Sequence, residues 1–308
     1  MNEEIPDYQK SQVSKRKHVA DRFSRRKWFV KASAMLVPPL LLGGYSKFES
    51  SWLEVTKTQM TLPPFSKQKP LRILHLSDLH LSKSISIEQI EHAFIEGFKS
   101  HPQACMLTGD FITDKPSSEK FTSLENCLSK FASKVPTFAC LGNHDGGKWA
   151  AEKGGFKNTD KIKTTLANAK IRLLENEKIN LFLNGQPTSI TGLGDLWTGN
   201  CLPERCLPKK PLKPANRKYA SIVLCHNPDA KEILRDFDWD LMLSGHTHGG
   251  QFKIPFTNFA PLSPVKDLSM TEGLHEFQNR KIFITRGVGS LYGIRINCRP
   301  EASVLEFG

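Results

Sequence analysis

Residues Leu71 to His80 have the sequence LRILHLSDLH, an apolar run that ends in a short polar segment. A short apolar run bounded by polar residues or glycine is typical of a buried β-strand. Asp78 and His80 follow this run and are separated by one residue, so both side chains should point the same way where the chain leaves the strand. We therefore expect these two residues to bind one metal ion together.

Four further blocks along the chain have the same form. Each follows an apolar run and ends in metal-binding residues: Gly109-Asp110, Gly142-Asn143-His144-Asp145, Cys225-His226-Asn227 and Gly245-His246-Thr247-His248. In open α/β sheets, ligands bind outside the carboxyl ends of the strands. A single block of this kind could be an ordinary turn, but five such blocks after five apolar runs predict one shared site.

The predicted ligands divide between two metal ions. We assign the first ion to Asp78, His80, Asp110 and His248, and the second to Asp110, Asn143, His226 and His246. Mixed oxygen and nitrogen ligands without a thiolate suit Mn²⁺, Fe or Zn²⁺, and Mn²⁺ is our first expectation. Two divalent ions ~3.5–4 Å apart lower the pKa of a bound water and hydrolyse phosphate esters. The sequence thus predicts a phosphoric ester hydrolase.

Other residues are candidates for contact with the substrate. His144 directly follows a proposed ligand, and we expect it to act as the general acid for the leaving oxygen or as a cation that stabilises developing charge. Asp145 is the candidate that orients His144. Trp197 is expected to line the pocket or else to pack in the core. Arg286 and Arg295 could bind a substrate phosphate, or they could form surface salt bridges.

The order of elements predicts an α/β fold. Amphipathic helical segments, such as Ser86 to Ser100, alternate with the first three apolar runs, which gives a β-α-β-α-β pattern. Shorter strands follow, and Asn184-Gly185 predicts a hairpin turn between two of them. Two sheets packed face to face and flanked by helices would accommodate this number of strands.

The set of metal-binding blocks resembles the calcineurin-like metallophosphoesterase superfamily over residues 71–308. This resemblance implies a four-layer α/β/β/α sandwich of two mixed sheets with a dinuclear metal centre. Further blocks look like the membrane-associated bacterial branch of that superfamily: Gly192 to Trp197, His246 to Gln251, Thr285 to Gly289 and Arg295 to Glu301. That branch includes phosphodiesterases with leaders of the twin-arginine type and UDP-2,3-diacylglucosamine pyrophosphatases of lipid A synthesis.

The N-terminal part differs from the rest of the chain. We expect a basic segment with a short hydrophobic anchor or signal over residues 1–58, a linker over 59–70 and the catalytic domain over 71–308. The apolar stretch from Trp28 to Tyr45 contains a lysine and two prolines, and its uninterrupted part is shorter than the ~20 residues that span a bilayer. It could be a membrane-surface anchor, an export signal or an uncleaved signal anchor. A disordered basic tail is the remaining alternative.

Composition restricts the class of partner. The chain has 308 residues and a formal net charge of +12, which favours a phosphorylated substrate or an anionic membrane surface. It has no cluster of aromatic and basic residues for stacking bases, so nucleic acid is not the expected partner. There are seven cysteines but no CxxC pair, which argues against a zinc knuckle. Cys201 and Cys206 could form a disulfide in an oxidising compartment.

The resemblance and the composition together give three functional hypotheses. The first is an enzyme on the cytoplasmic side of the inner membrane that hydrolyses UDP-2,3-diacylglucosamine to lipid X and UMP. The second is an exported phosphodiesterase of broad specificity in the periplasm. The third is a membrane-tethered scaffold whose metal centre is only structural.

Overall fold

The computed structural model describes residues 39–65, 70–210, 217–257 and 259–308. The chain divides into two compact units, Met1–Tyr45 and Ser46–Gly308. The basic block and most of the apolar stretch predicted near the N-terminus lie outside the described residues. Within the described ranges, no helix combines the length and the apolar character that crossing a bilayer requires.

The described residues of the larger unit form twelve strands and the main helices. In chain order, the strands are β1 Glu54–Met60, β2 Leu71–Leu76, β3 Ala104–Thr108, β4 Thr137–Cys140, β5 Arg172–Leu173, β6 Glu177–Leu183, β7 Gln186–Gly192, β8 Ala220–Leu224, β9 Leu241–Ser244, β10 Gly273–Phe277, β11 Arg280–Ile284 and β12 Glu301–Phe307. The α-helices are α1 Pro39–Ser51, which begins in the smaller unit, α2 Ile87–Phe98, α3 Ser118–Ala132, α4 Lys148–Glu152 and α5 Asp160–Asn168.

Each of the two sheets has six strands and mixed direction. The first has the order β1-β12-β2-β3-β4-β5, and the second has the order β10-β11-β9-β8-β7-β6. β2, β3 and β4 are parallel neighbours, as are β7, β8 and β9, so the segments that follow them emerge at the carboxyl ends of each sheet. The predicted hairpin turn between β6 and β7 is present, with positive φ at Asn184 and Gly185.

Three apolar clusters hold the layers together. One lies between the first sheet and helices α2, α3 and α5 and includes Phe94 and Phe131, whose rings stack at 4.9 Å. A second fills the space between the sheets and includes Ile73 and Phe283. A third covers the outer face of the second sheet around Trp239. Among the described residues, this outer layer consists of loops and short 3₁₀ helices. The predicted α/β fold of two mixed sheets is confirmed.

Helix α2 shows how the sequence specifies the helical layer. The buried residues Ile90, Ala93, Phe94 and Gly97 recur at helical spacing and face the sheet. The hydroxyl of Ser86 accepts a hydrogen bond from the Gln89 amide at 3.3 Å and caps the helix, a contact that stabilises a helix by ~1 kcal/mol. The helix runs from Ile87 to Phe98, within the predicted range of Ser86 to Ser100.

The first sheet begins before the predicted domain boundary at residue 71. β1 pairs in parallel with β12 along its whole length, from Glu54 opposite Glu301 to Met60 opposite Phe307. Residues 54–60 therefore belong to the catalytic fold and not to an N-terminal segment or a linker. The sequence EVTKTQM has few apolar residues because an edge strand is covered on part of its surface only.

The cysteines do not form disulfides. All seven lie in the described residues and all are free thiols. The disulfide that the sequence allowed between Cys201 and Cys206 is therefore not formed.

Candidate metal centre

The five predicted blocks meet at one end of the sandwich. Backbone hydrogen bonds join the segments after β2 and β3, because the Asp78 amide donates to the Gly109 carbonyl and the His80 amide to the Asp110 carbonyl, each at 2.9 Å. The predicted metal ligands are all buried: Asp78, His80, Asp110, Asn143, His226, His246 and His248. Buried charged and polar groups require partners, so this cluster needs a cation or further hydrogen bonds.

The ligands assigned to the first ion lie close together. His80 Nε2 is 3.7 Å from Asp78 Oδ1 and 3.4 Å from Asp110 Oδ2. His248 Nε2 is 3.6 Å from Asp78 Oδ1. Ligands that each lie ~2.0–2.2 Å from one metal are separated from each other by ~3–3.5 Å. The spacing of this group therefore fits the coordination of a single ion.

The ligands assigned to the second ion also converge. His226 Nε2 is 3.1 Å from Asp110 Oδ2, and His246 Nδ1 is 3.3 Å from His226 Nε2. Asn143 Oδ1 is buried and has no hydrogen-bond partner among the described residues. An unsatisfied buried polar atom costs about 1–3 kcal/mol, which a bound cation would relieve. Asp110 Oδ2 lies close to a ligand of each group, 3.4 Å from His80 Nε2 and 3.1 Å from His226 Nε2. Asp78 is also near both, because its ligand atom lies within 4.8 Å of those of Asp110 and His226.

Outer contacts hold two of the imidazoles in place. His226 Nδ1 is 2.7 Å from the carbonyl of Thr108, which can only accept, so Nδ1 carries the proton and Nε2 is free to bind a metal. His80 Nδ1 is 2.5 Å from the hydroxyl of Thr113, and its Nε2 has no partner among the described residues. Both Nε2 atoms are therefore available to the site.

The electrostatics of the cluster suit cations. Burial raises the pKa of Asp78, but the charges of His248 and other neighbours outweigh burial and hold this pKa below its usual value. In the same way, His226 and other neighbours outweigh burial and hold the pKa of Asp110 well below its usual value. Burial lowers the pKa of His246 to about 3 and that of His248 well below its usual value. Burial would lower the pKa of His226, but the Asp110 charge outweighs burial and raises this pKa well above its usual value. The carboxylates are thus in the ionised form that binds metals, and a bound metal ion would displace the proton from His226.

The backbone of the site is strained. Five of the predicted ligands have left-handed φ angles: Asp78 (53°), His80 (48°), Asp110 (54°), His246 (69°) and His248 (51°). Non-glycine residues in this region cost of order 1–3 kcal/mol each and cluster at functional sites. These left-handed residues turn the backbone sharply where each strand ends. Gly142 and Gly245 make room for these turns, because a Cβ at either position would lie 2.2 Å or less from a carboxylate oxygen of Asp110 or Asp78.

His144 stands between the ligands and the open cleft. Its amide donates to Asp110 Oδ1 at 2.8 Å, and its half-buried ring lies 5.0 Å from that of His80 and 4.8 Å from that of Trp149. Burial lowers the pKa of His144 to about 4. The ring lines the cleft, so it can reach a substrate there. The role of general acid stays a prediction: the position supports it, and the charge of a bound phosphate would have to raise this pKa for the ring to carry a proton near pH 7.

Asp145 has a different position from the one predicted. Its carboxylate accepts hydrogen bonds from three backbone amides, those of Asp110 (2.9 Å), Phe111 (2.7 Å) and Gly142 (2.8 Å). Burial and the nearby Asp110 charge raise its pKa, and the amides of Gly142 and Phe111 act in the opposite direction. The expectation that Asp145 orients the ring of His144 is corrected: the carboxylate joins the loops after β3 and β4.

Both arginines predicted to bind phosphate are structural. Arg295 is completely buried and donates to backbone carbonyls, among them those of His248 at 3.1 Å and Arg286 at 2.7 Å. The Arg286 side chain donates to Glu54 at 2.6 Å and lies 3.4 Å from Glu301. This corrects the prediction that they hold a substrate phosphate, because their guanidinium groups are engaged with the protein. The sequence could not show this, since the partners come from distant segments.

Trp197 lines the cleft, as predicted. Asp195 Oδ1 accepts hydrogen bonds from the amides of Trp197 (2.8 Å) and Thr198 (3.1 Å), which fixes the turn that presents the indole. The Trp197 ring is 4.3 Å from that of His246 and 5.6 Å from that of Trp149. Sequence reasoning missed Trp149, although it lies only five residues after His144.

The metal centre lies in a cleft of about 610 Å³ with one apolar side. We call this side the apolar wall; it consists of Phe252, Leu262, Leu291, Tyr292 and Ile294. Two lysines, Lys83 and Lys153, also line the cleft. No metal-binding motif or alternating pattern marks the wall in the sequence, because its residues lie on irregular loops and a short 3₁₀ helix.

Comparison with known proteins identifies the family. The calcineurin-like phosphoesterase family matches residues 71–250, which is more than half of the chain and contains all seven predicted ligands. The protein belongs to this family. Members depend on a dinuclear metal centre, and this chain brings the Asp and His groups for such a centre together. It is therefore a phosphoric ester hydrolase, as predicted.

Several curated proteins are similar over most of the chain. Phosphodiesterase YaeI of Escherichia coli K12 is 38% identical over 92% of this chain and 98% of its own length. UDP-2,3-diacylglucosamine pyrophosphatase LpxG of Chlamydia trachomatis serovar D is 27% identical over 89% of this chain and 95% of its own. The metallophosphoesterase YkoQ of Bacillus subtilis 168 is 30% identical over 77% of this chain and 83% of its own.

Proposed function

We propose that this metallophosphoesterase hydrolyses the diphosphate or phosphodiester of a lipid-linked substrate, with UDP-2,3-diacylglucosamine as the candidate. One observation carries the proposal: the metal ligands and a wall of exposed apolar side chains share one cleft. A site for a small soluble ester has no need for such a wall. The name of the chlamydial relative, a UDP-2,3-diacylglucosamine pyrophosphatase, supports the same substrate class.

The two ends of the cleft suit the two ends of such a substrate. The phosphates would lie over the ligand cluster, within reach of Lys83 and Lys153 at the rim. Acyl chains would lie against the apolar wall, where Tyr292 is 84% and Leu262 is 73% exposed. Covering ~100 Å² of acyl surface at ~25 cal/mol per Å² contributes about 2.5 kcal/mol, close to a hundredfold in affinity.

The reaction depends on residues of the chain as follows. Metal ions held by the two ligand groups would supply positive charge and an activated water. His144 faces the cleft and would protonate the leaving oxygen. Asn143 would bind metal through a neutral oxygen and so add no negative charge near the phosphate. Thr113 would keep the ring of His80 in position, and Asp145 would hold the ligand-bearing loops together. Mn²⁺ is the ion we expect from the mixture of ligands.

The place of action in this proposal is the cytoplasmic side of the inner membrane. The basic residues of the N-terminal segment would attract anionic lipids, and its apolar residues would lie at the interface. A UDP-linked substrate made in the cytoplasm would be accessible from that side. The membrane surface and the lipid-linked substrate are the partners that follow.

The test compares an acylated with an unacylated diphosphate. Full-length protein with Mn²⁺ is incubated with UDP-2,3-diacylglucosamine in detergent micelles, or with UDP-N-acetylglucosamine in the same micelles. We expect UMP and a lipid-sugar phosphate, with kcat/KM about a hundredfold higher for the acylated substrate. Hydrolysis in ¹⁸O-labelled water shows which phosphorus is attacked. Equal rates for both substrates would refute the lipid specificity.

A second candidate is an exported phosphodiesterase of broad specificity. The identity of 38% to the phosphodiesterase of E. coli, over almost the whole of both chains, favours it. This candidate predicts comparable kcat/KM for several unrelated soluble diesters. It also predicts that mass spectrometry of a periplasmic fraction finds a mature protein that begins after Tyr45. A non-catalytic scaffold would hydrolyse none of these substrates.

A further inference from the structure

We propose that the catalytic unit docks on a lipid bilayer through an apolar ridge beside the cleft, in addition to any contact that the N-terminal segment makes. The ridge consists of Ile254, Phe256, Phe259, Leu262 and Tyr292. Phe256 is fully exposed, and the exposed fractions of Ile254 and Phe259 are 46% and 48%. Exposed apolar side chains that are grouped on connected loops mark binding surfaces, unlike the same side chains scattered singly.

The ridge is held rigidly by the fold. The side chain of Gln251 joins the two loops of the ridge. Its Nε2 donates to the Leu291 carbonyl at 3.1 Å, and its Oε1 accepts from the Leu291 backbone amide at 3.0 Å. Phe252 and Ile296 form a β-bridge between the same loops. The Ile254 amide donates to the Phe259 carbonyl at 3.1 Å and closes the tip of the first loop. The exposed side chains are therefore presented by a defined surface.

Two aromatic residues of the ridge have strained backbones. Phe256 and Tyr292 both have φ of 62°. A bulky residue in this left-handed region is a rare outlier, and such strain persists where function requires it. Both side chains are directed to solvent, so the strain does not serve core packing. It keeps the two rings on the outside of the molecule.

Charge and chain path identify the partner as an anionic lipid surface. Neither residues 251–266 nor residues 287–300 contain an Asp or Glu, so no acidic side chain within the two loops would oppose anionic headgroups. The Ser46 carbonyl accepts a hydrogen bond from the Arg295 amide at 3.2 Å. Ser46, the first residue of the larger unit, therefore lies beside the second loop. The residues before Ser46 include the basic block from Lys15 to Lys27, which anionic lipids attract.

Docking in this way would turn the mouth of the cleft towards the interface. Leu262 and Tyr292 belong both to the ridge and to the apolar wall, so the membrane contact continues into the site. A substrate held in the bilayer could then reach the metal ligands without crossing water. The docking itself requires no substrate, and its test is therefore independent of the proposed function.

The test uses depth-dependent quenching in the full-length protein. Phe256→Trp places a fluorophore on the ridge, and Phe182→Trp places a matched one at a 74% exposed position on β6. Vesicles of anionic phospholipid with brominated acyl chains should quench the added fluorescence of Phe256→Trp and not that of Phe182→Trp. Equal quenching at both positions, or none at Phe256→Trp, would overturn the inference, because the N-terminal segment alone would then explain binding.

A second measurement excludes other partners for the ridge. The double variant Phe256→Asp/Phe259→Asp should weaken partition into these vesicles about tenfold or more, whereas Phe182→Asp should not. Neither variant should change hydrolysis of bis(p-nitrophenyl) phosphate, because Phe256, Phe259 and Phe182 do not line the cleft. Unchanged partition of the double variant would show that lipid does not occupy the ridge. The same conclusion would follow if light scattering showed that the parent protein is a dimer and the double variant a monomer.

Discussion

The carboxylate of Asp145 joins two loops that carry metal ligands, since it accepts hydrogen bonds from Asp110, Phe111 and Gly142. In Asp145→Asn, an amide NH₂ would have to replace one of the two oxygens and face a backbone donor. We expect metal affinity to fall ~10–100-fold, as is usual when an outer contact of a metal site is lost. Calorimetric titration of the metal-free protein with Mn²⁺ measures this.

The matched control for that variant is Asp236→Asn. Asp236 is exposed and lies in a short 3₁₀ helix outside the ligand-bearing segments, so its substitution should leave Mn²⁺ affinity unchanged. A variant Asp145→Asn with normal metal affinity and a reduced kcat would contradict the positioning role. That outcome would restore the idea that Asp145 acts on His144.

Arg295 offers a second test at the scale of one residue. Its guanidinium donates to the carbonyls of His248, Cys298, Arg286, Gly287 and Gly289. Lysine cannot reach all of these acceptors, and each lost bond from a charged donor contributes ~1.5–3 kcal/mol. We expect Arg295→Lys to lower the free energy of unfolding by about 2–4 kcal/mol in urea denaturation. The KM of the folded enzyme for bis(p-nitrophenyl) phosphate should stay the same.

A different result would assign Arg295 to substrate binding. If Arg295→Lys kept its stability and raised KM about tenfold, the guanidinium would be a phosphate-binding group. Lys153→Ala provides the comparison, because Lys153 lines the cleft and its side chain forms no hydrogen bond or ion pair within the described residues. Its substitution should raise KM and leave stability unchanged.

At the scale of single residues, the sequence was a better guide to the metal-binding residues than to the contacts that support them. Asp78 and His248 each stand in a short polar block that follows an apolar run, so local order in the chain was sufficient to predict that they would meet. The contacts of Asp145 and Arg295 depend on backbone groups that folding brings together. No spacing along the chain encodes those contacts.

Among the elements, helix α1 ends in residues that contact the metal centre indirectly. The buried Glu49 carboxylate accepts hydrogen bonds from the amides of Asn297 (2.9 Å) and Cys298 (2.5 Å). The Cys298 thiol in turn lies 2.9 Å from the carbonyl of His248. Residues Ser46 to Ser51 therefore belong to the structure that supports a predicted ligand.

Removal of this contact should destabilise the catalytic unit. In Glu49→Ala, the amides of Asn297 and Cys298 lose their acceptor, and the loss at the buried Cys298 amide costs about 1–3 kcal/mol. We expect a lower melting temperature in calorimetry and weaker Mn²⁺ binding. Lys47→Ala, an exposed position on the same helix, should change neither quantity. If Glu49→Ala melted like the parent protein, the end of α1 would be dispensable.

Strands in the interior of the sheets were predicted more accurately than strands at the edges. β2, β3 and β4 are buried on both faces, so each is a continuous apolar run. β1 and β10 lie at the edges of the two sheets and contain many polar residues. Their sequences resemble loops, because pairing with one neighbour, and not burial, defines them.

For the whole molecule, bound metal should contribute to stability as well as activity. Asp78 and Asp110 are ionised and buried close together, and their repulsion is relieved when cations bind. We expect treatment with EDTA to abolish hydrolysis and to lower the melting temperature. Mn²⁺ at 100 times its Kd should restore about 2.7 kcal/mol. Activity that persists in protein shown to be metal-free by elemental analysis would refute the dinuclear centre.

The position of β12 has a consequence for biosynthesis. This strand, residues 301–307, lies between β1 and β2, so the first sheet has a gap until the last residues of the strand are available. While the ribosome still holds them, the nascent polypeptide exposes two unpaired strand edges that invite aggregation. Translation that stops before residue 301 would leave β1 without a neighbour, so the truncated protein would expose an open sheet to quality-control proteases.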